Sequence, residues 1–367
     1  MRDGVEKRLF VAATNQNDGK TTCSLGFMEG FRRFAKSVGF IKPVGQRYVT
    51  VDGHKVDEDS VLIQQTCGLC YSLRSLNPIV IEPDFTRRFL DSPEEIYPKL
   101  ERALLDSFAV VADGNDAVVI EGSGHAGVGS VFSLCNARVA KLLNAKVVIV
   151  ALGGIGRPVD EVAVNRSLFE MEGVPVVGVV VNKALPEKLE QTRHYLTKAF
   201  DRAGLPLLGV VPYAPCLAWP TVQQVVESTG AEVVSGHDRL SSPIAQVLVG
   251  AMTPHNALAY IRDESLLIVP GDRDDLVLAV VSMHLLRDDV RLSGIVFTGG
   301  LQPSPETMDL LSRIDVPVLF VGTGTYETAA CVHDTVVKIR STDQDKVRLA
   351  TSLVRDNVDL KRLWSML

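Results

Sequence analysis

The sequence predicts an α/β fold: a doubly wound, mostly parallel sheet followed by a second, smaller α/β domain. Three observations carry that expectation. Short apolar runs rich in β-branched residues alternate with segments of helical periodicity from Leu9 to Pro212. The alternation resumes beyond a polar stretch, from Leu266 to Arg355. The first apolar run passes through an Asn/Asp-rich loop into Gly19-Lys20-Thr21-Thr22, which opens a helical pattern.

Leu9 to Ala13 reads as a buried strand, and Leu25, Met28, Phe31 and Phe34 recur at helical spacing between Cys23 and Ala35. Strand, loop, Gly-Lys-Thr and helix in that order are the context of a phosphate-binding P-loop. Backbone N–H groups around Gly19 are expected to cradle phosphate at the helix N-terminus, where the dipole favours anions. Lys20 would reach the outer phosphates and the Thr21 hydroxyl would ligate Mg²⁺. The spacing is imperfect, because Thr14 stands where the motif asks for glycine.

The chain has 367 residues, 46% hydrophobic and 22% charged, enough for two or three domains with their own cores. A net charge of -6 argues against nucleic acid or an anionic lipid surface as partner. Met1 to Arg8 is charged and shows no signal peptide, no apolar run reaches membrane-spanning length, and the six cysteines form no disulfide framework. A cytoplasmic protein is the expectation. Cys67 and Cys70 form a C-x-x-C spacing without a second ligand pair, and read as two ordinary thiols.

Val38 to Gly45 is a short strand that Pro43 and Gly45 end, so Lys42 falls at the carboxyl edge of the sheet, where ligands bind in open α/β folds. Asp57, Glu58 and Asp59 precede a helical run from Val61; they either cap it or supply a metal ligand. A helix is expected over 93–108, and the strand 117–121 ends in Glu121 before Gly122-Ser123-Gly124-His125. A strand-end carboxylate before glycines suits a Mg²⁺ or water-positioning role. Strands over 146–152, 174–181 and 207–212 alternate with helices over 158–172 and 190–203. Asn182, at a strand end, carries an amide able to read a purine edge.

Residues 231–242 are short, polar and mixed, and a boundary is placed there: 1–235 as the first domain, 236–345 as the second, 346–367 as a C-terminal helical tail. In the second domain, strands are expected over 266–270, 294–298, 316–322 and 336–339, with helices through Met283, over 325–333 and over 346–355. Gly271-Asp272-Arg273 and Thr298-Gly299-Gly300 should face each other at strand ends.

Taken together, Thr14 to Thr22, Lys42-Pro43-Val44, Asp59, Asn77-Pro78 with Glu82-Pro83, Glu121-Gly122-Ser123-Gly124 and Asn182 resemble the dethiobiotin synthetase family of P-loop proteins. That family is related to the cobyrinic acid a,c-diamide synthases. Asp272-Arg273, Thr298-Gly299-Gly300 and Thr325 to Ala329 resemble a DRTGG domain. The two in this order resemble the N-terminal portion of long bacterial phosphate acetyltransferases, a resemblance covering nearly the whole chain.

The resemblance implies ATP and Mg²⁺ as ligands. Asn17, Asp18, Gly19, Lys20, Thr21 and Thr22 would hold the phosphates and Asn182 the adenine. Thr21, Asp59 and Glu121 would hold the metal, and Lys42 would meet the transferred phosphoryl group or a substrate carboxylate. It also implies a homodimer. Gln16 and Gln46 depart from the hydroxyl residues of dethiobiotin synthetases, and Ala13 stands where that family carries its first P-loop glycine. No acetyl-transfer or glutaminase domain is evident. Two readings result. One is a regulatory or sensing nucleotide-binding protein; the other is an ATPase or ATP-dependent ligase acting on a small carboxylate or carbamate. Altered substrate-facing positions beside retained phosphate residues favour the first.

Overall fold

A computed structural model describes residues 7–335 and 337–367. The charged N-terminus read for a signal peptide lies largely outside the described residues, as does Val336, the first residue of the strand expected over 336–339. Residues 337–339 are not strand.

The first strand, β1 (Lys7–Ala13), is buried from Leu9 onward, as a strand covered on both faces must be. It is followed by β2 (Val38–Ile41), the two-residue β3 (Val44–Gly45), β4 (Tyr48–Val51), β5 (His54–Asp57) and the two-residue β6 (Ile79–Val80). Then come β7 (Ala117–Glu121), β8 (Lys146–Leu152), β9 (Val176–Ala184) and β10 (Leu207–Pro212). Six of these form one parallel sheet in the order β10-β9-β8-β1-β7-β2. Because β1 lies between β7 and β8, the chain turns to opposite sides at its carboxyl end, the crevice where open α/β sheets bind ligands.

Polar residues 46–57, whose sequence gives little periodicity, form an antiparallel hairpin of β4 and β5. Asp52 and Gly53 at its tip both have positive φ (49° and 75°), the requirement of a tight two-residue turn.

The described chain divides into two compact units, one running up to Ala214 and including Ile339–Leu367, the other Pro215–Lys338. The second unit is thus an insertion between β10 and the last two helices. The tail expected to stand apart over 346–367 is part of the first unit. Its helices Gln344–Asn357 and Leu360–Met366 pack on the helix Lys20–Phe31 that follows the phosphate loop. Trp364 lies 5.2 Å from the Phe31 ring, and the Asp359 N–H donates to the Leu208 carbonyl of β10 at 2.8 Å.

In the second unit, β11 (Glu232–Ser235), β12 (Gln246–Val249), β13 (Ser265–Pro270), β14 (Leu292–Thr298) and β15 (Val318–Phe320) form a sheet ordered β11-β15-β14-β13-β12. The boundary drawn at 235/236 falls at the end of β11. This antiparallel edge strand is half exposed, so its composition reads as linker. The junction lies at Ala214/Pro215 instead. β13 and β14 are parallel neighbours, with Pro270 beside Thr298, so Gly271 and Gly299 sit on adjacent strand ends. A Cβ at Gly271 would lie 1.9 Å from the Leu301 carbonyl oxygen, an approach only glycine permits. Arg273 turns away to Asp275 (2.8 Å) and the carbonyls of Gly250 and Met252.

Among the described residues, no helix is long and apolar enough to cross a membrane.

Candidate functional site

The loop between β1 and its helix closes on itself through Asp18. Its Oδ2 accepts from the Asn15 N–H (2.6 Å) and the Thr14 hydroxyl (2.7 Å), an Asx-type brace that short polar side chains make. Asp18 is fully buried, and burial pushes its carboxyl above the ordinary range, against the pull of Thr14, the Asn15 N–H and Lys20. Asn17 takes a positive φ of 64°, and Gly19, at the helix N-cap, 100°. Asn182, near the carboxyl end of β9, donates from Nδ2 to the Asp18 carbonyl at 2.8 Å. A Cβ on Gly19 would fall 2.0 Å from that same Nδ2. Glycine is required here for close approach as well as for φ. The amide expected to face adenine is committed to the loop backbone in this structure.

Lys20 is buried, and its Nζ donates to the carbonyls of Gly124 (3.2 Å) and Asn15 (3.3 Å). Burial pushes its ammonium down to about 8, with Glu121 opposing and Lys42 adding to the depression. It carries only neutral carbonyl acceptors, so an anion beside it would recover charge stabilisation at little cost.

The neighbouring cluster is built by strand register. Ile41 of β2 pairs with Ile120 of β7, which sets Lys42 beside Glu121 at the two carboxyl ends. The β4–β5 hairpin then returns Asp57 and the helix Glu58–Cys67 to the same place, with Asp57 as N-cap accepting from the Asp59 N–H at 3.0 Å. Lys42 Nζ lies 3.0 Å from Glu121 Oε1, 3.3 Å from Asp57 Oδ1 and in a tight ion pair with Asp59. All four side chains are at least nine-tenths buried. Burial alone would lower the Lys42 ammonium, but Asp59, Glu121 and Asp57 together hold it well above its usual value. Burial raises the Glu121 carboxyl, Lys42 opposes and Asp59 adds. Removing one partner of such a cluster costs about 3–5 kcal/mol, because the remaining charges stay buried and uncompensated.

Thr21 donates its hydroxyl to Glu121 Oε1 at 3.1 Å. The expected metal set of Thr21, Asp59 and Glu121 is therefore brought together, yet around an ammonium. Two carboxylates and a hydroxyl are hard oxygen donors, matching Mg²⁺, which takes one or two carboxylates and completes its shell with water and substrate phosphate. Glu121 Oε2 is also buried without a partner in hydrogen-bonding geometry. The residues fit the ion. Among the described residues, no three His, Cys, Asp or Glu side chains are placed to hold a metal ion by themselves; here the Lys42 ammonium stands among the carboxylates.

Sequence reasoning left Asp57 undecided between cap and ligand, and it assigned Asn77 no task. Asn77 donates to the Lys42 carbonyl (2.8 Å) and accepts from the Asp57 N–H (2.9 Å), tying both segments of the cluster. Ser123 and Asn136, also without an expected role, lock the turn after Glu121: Asn136 accepts from the Ser123 N–H and donates to the Ser123 and His125 carbonyls. Their signal, buried polar residues in apolar surroundings, exists only in three dimensions. Thr22 is half-buried in the first helical turn. Gln16 and Gln46, the two departures, meet: Gln16 Nε2 donates to Gln46 Oε1 at 3.1 Å. A cleft of ≈ 540 Å³ is lined by Thr14, Asn15, Glu161 and Leu168 among others.

A glycine-capped loop on β1, a buried lysine at its helix and a parallel sheet around them define a P-loop α/β protein. Residues 7–221 match the AAA domain family AAA_26, and the chain belongs to it; residues 224–335 match the DRTGG domain. The chain is 28% identical to the phosphate acetyltransferase of Nitratidesulfovibrio vulgaris, over 99% of its own length and 52% of that protein. It is 26% identical to that of Synechocystis, over 98% and 51%. The chain spans about half the length of these curated relatives, in keeping with an N-terminal-portion resemblance. A solved structure of the MinD cell division protein of Aquifex aeolicus covers 57% of this chain and 84% of its own, with 14% identity and a TM-score of 0.35.

Proposed function

We propose that this chain is a nucleotide-binding regulatory protein, in which the P-loop unit takes ATP with Mg²⁺ and the DRTGG unit serves sensing or dimerisation. Buried Lys20, held only by neutral carbonyls at a helix N-terminus, carries the nucleotide part of the reading. The N–H groups after Gly19 would meet phosphate oxygens, Lys20 would pair with the outer phosphates, and Thr21, Asp59 and Glu121 would hold the ion. When bound, Mg²⁺ neutralises charge on the phosphates.

Regulation rather than ligation is supported by Lys42. In the free protein its ammonium donates to Asp59 and Glu121 and pairs with Asp57 at 3.3 Å, so it is engaged by the chain's own carboxylates rather than turned towards a substrate. The Gln16–Gln46 hydrogen bond joins two positions where dethiobiotin synthetases carry substrate-facing hydroxyls.

Calorimetry with ATP and Mg²⁺ tests the reading: wild type should bind, and Lys20→Ala should weaken binding at least tenfold. Equal binding by both, or none, refutes it. Hydrolysis that rises sharply with one small carboxylate would favour the ligase reading instead.

A further inference from the structure

We infer that the Lys42 ammonium is a built-in occupant of the divalent-cation site, a competitor that keeps Asp59 and Glu121 from holding a metal until it is displaced. The inference rests on the nucleotide reading for its purpose, but its test uses no nucleotide, so the two can fail separately.

Three observations carry it. Lys42 Nζ contacts Glu121 Oε1, the same oxygen to which Thr21 donates, so the ammonium and the P-loop hydroxyl converge on one acceptor. The ammonium also pairs with Asp59, the second carboxylate of the expected metal set. Asp57, at 3.3 Å, lies outside that set and also pairs with the ammonium. A cation arriving at Asp59 and Glu121 would find a positive charge within contact distance, a repulsion that low-dielectric surroundings strengthen. With the ammonium gone, three carboxylates at least nine-tenths buried would lose the cation they share, and a divalent ion is the natural replacement.

Nucleotide phosphates supply the trigger in this arrangement. Their anionic oxygens give Lys42 an alternative partner, so phosphate and metal become mutually dependent rather than independent ligands. The arrangement keeps the site from loading with metal in the absence of nucleotide.

The test is Mn²⁺ binding without nucleotide, read from the free-ion signal in electron paramagnetic resonance. Wild type should bind weakly. Lys42→Met should bind at least tenfold more tightly, whereas Lys42→Arg, which keeps the charge, should stay within a few-fold of wild type. Lys42→Met removes the cation that three buried carboxylates share and could fail to fold. Lys42→Met with Asp57→Asn removes one of those charges and leaves Thr21, Asp59 and Glu121 in place, and it should show the same gain. Circular dichroism identifies which of the two is folded. No gain in a folded methionine variant overturns the inference, as does wild-type Mn²⁺ affinity already equal to the variant's. If neither folds with or without Mn²⁺, Lys42 is a structural counter-ion that metal cannot replace, and the inference fails as well.

Discussion

A Cβ placed on Gly26 would lie 2.3 Å from the Val354 Cβ, so the helix after the phosphate loop and the penultimate helix of the chain meet at glycine-only distance. One turn later Gly30 meets Leu360, with 2.4 Å to its Cδ1. The C-terminal segment reaches this groove after an excursion through the whole second unit, and it is held there by Trp364 against Phe31 and by Val358 beside Gly209.

The first prediction concerns stability. Gly26→Ala should destabilise the protein by about 1–3 kcal/mol, the cost of overpacking a filled core. Alanine's helix preference, about 1 kcal/mol, acts in the opposite direction and is outweighed. Gly156→Ala provides the contrast: nothing lies within 4 Å of its Cβ position in the helix Gly156–Met171, so stability should be unchanged or slightly raised. Urea denaturation of the two variants checks this, and equal midpoints would show that the tail does not pack as described.

The second concerns pH. Lys20 sits at about 8 rather than 10.5 in the free protein because burial disfavours its charge. An anion beside it restores the charge, so binding takes up a proton above that value. Affinity for ADP in EDTA, where no metal intervenes, should be flat below pH 8 and fall from 8 towards 10. ADP phosphates are already ionised in that range. Unfolding does not mimic the effect: a depressed lysine binds fewer protons in the folded state, so its contribution to stability rises between about 8 and 10.5. Calorimetry across pH tests it, with Lys20→Met expected to be weak and flat. A wild-type affinity unchanged up to pH 9.5 would contradict it.

The third concerns the thiols. Burial pushes Cys23 up to about 12 and Cys67 up to about 11, while Cys70 is exposed. Thiolate is the reactive form, so iodoacetamide at pH 8 should modify Cys70 first, Cys67 slowly and Cys23 only on unfolding. Mass spectrometry of the alkylated peptides gives the order, and rapid labelling of Cys23 would contradict it.

The phosphate loop was legible because its geometry is local. A strand, a polar loop and Gly-Lys-Thr leading a helix leave the backbone few choices, and Gly19, Lys20 and Thr21 stand where that logic puts them. The alternation of β-rich runs and periodic segments likewise predicted the parallel sheet, with strand limits differing by a few residues. The hairpin 48–57 and the edge strand Glu232–Ser235 were not legible. Both are half exposed, so no hydrophobic period marks them, and the second was read as a boundary.

By itself, the sequence determined that a phosphate loop opens an α/β domain, and which residue types stand at strand ends. Only the tertiary structure decided what those residues do to one another. Lys42 and Glu121 are 79 residues apart and become neighbours because β2 and β7 pair in register, while Asp57 and Asp59 return through a hairpin. Asn182 holds the Asp18 carbonyl because its strand ends beside the loop, and the tail belongs to the first unit because two glycines leave it room. Charge pairing and close packing act through space, and spacing along the chain carries no record of either.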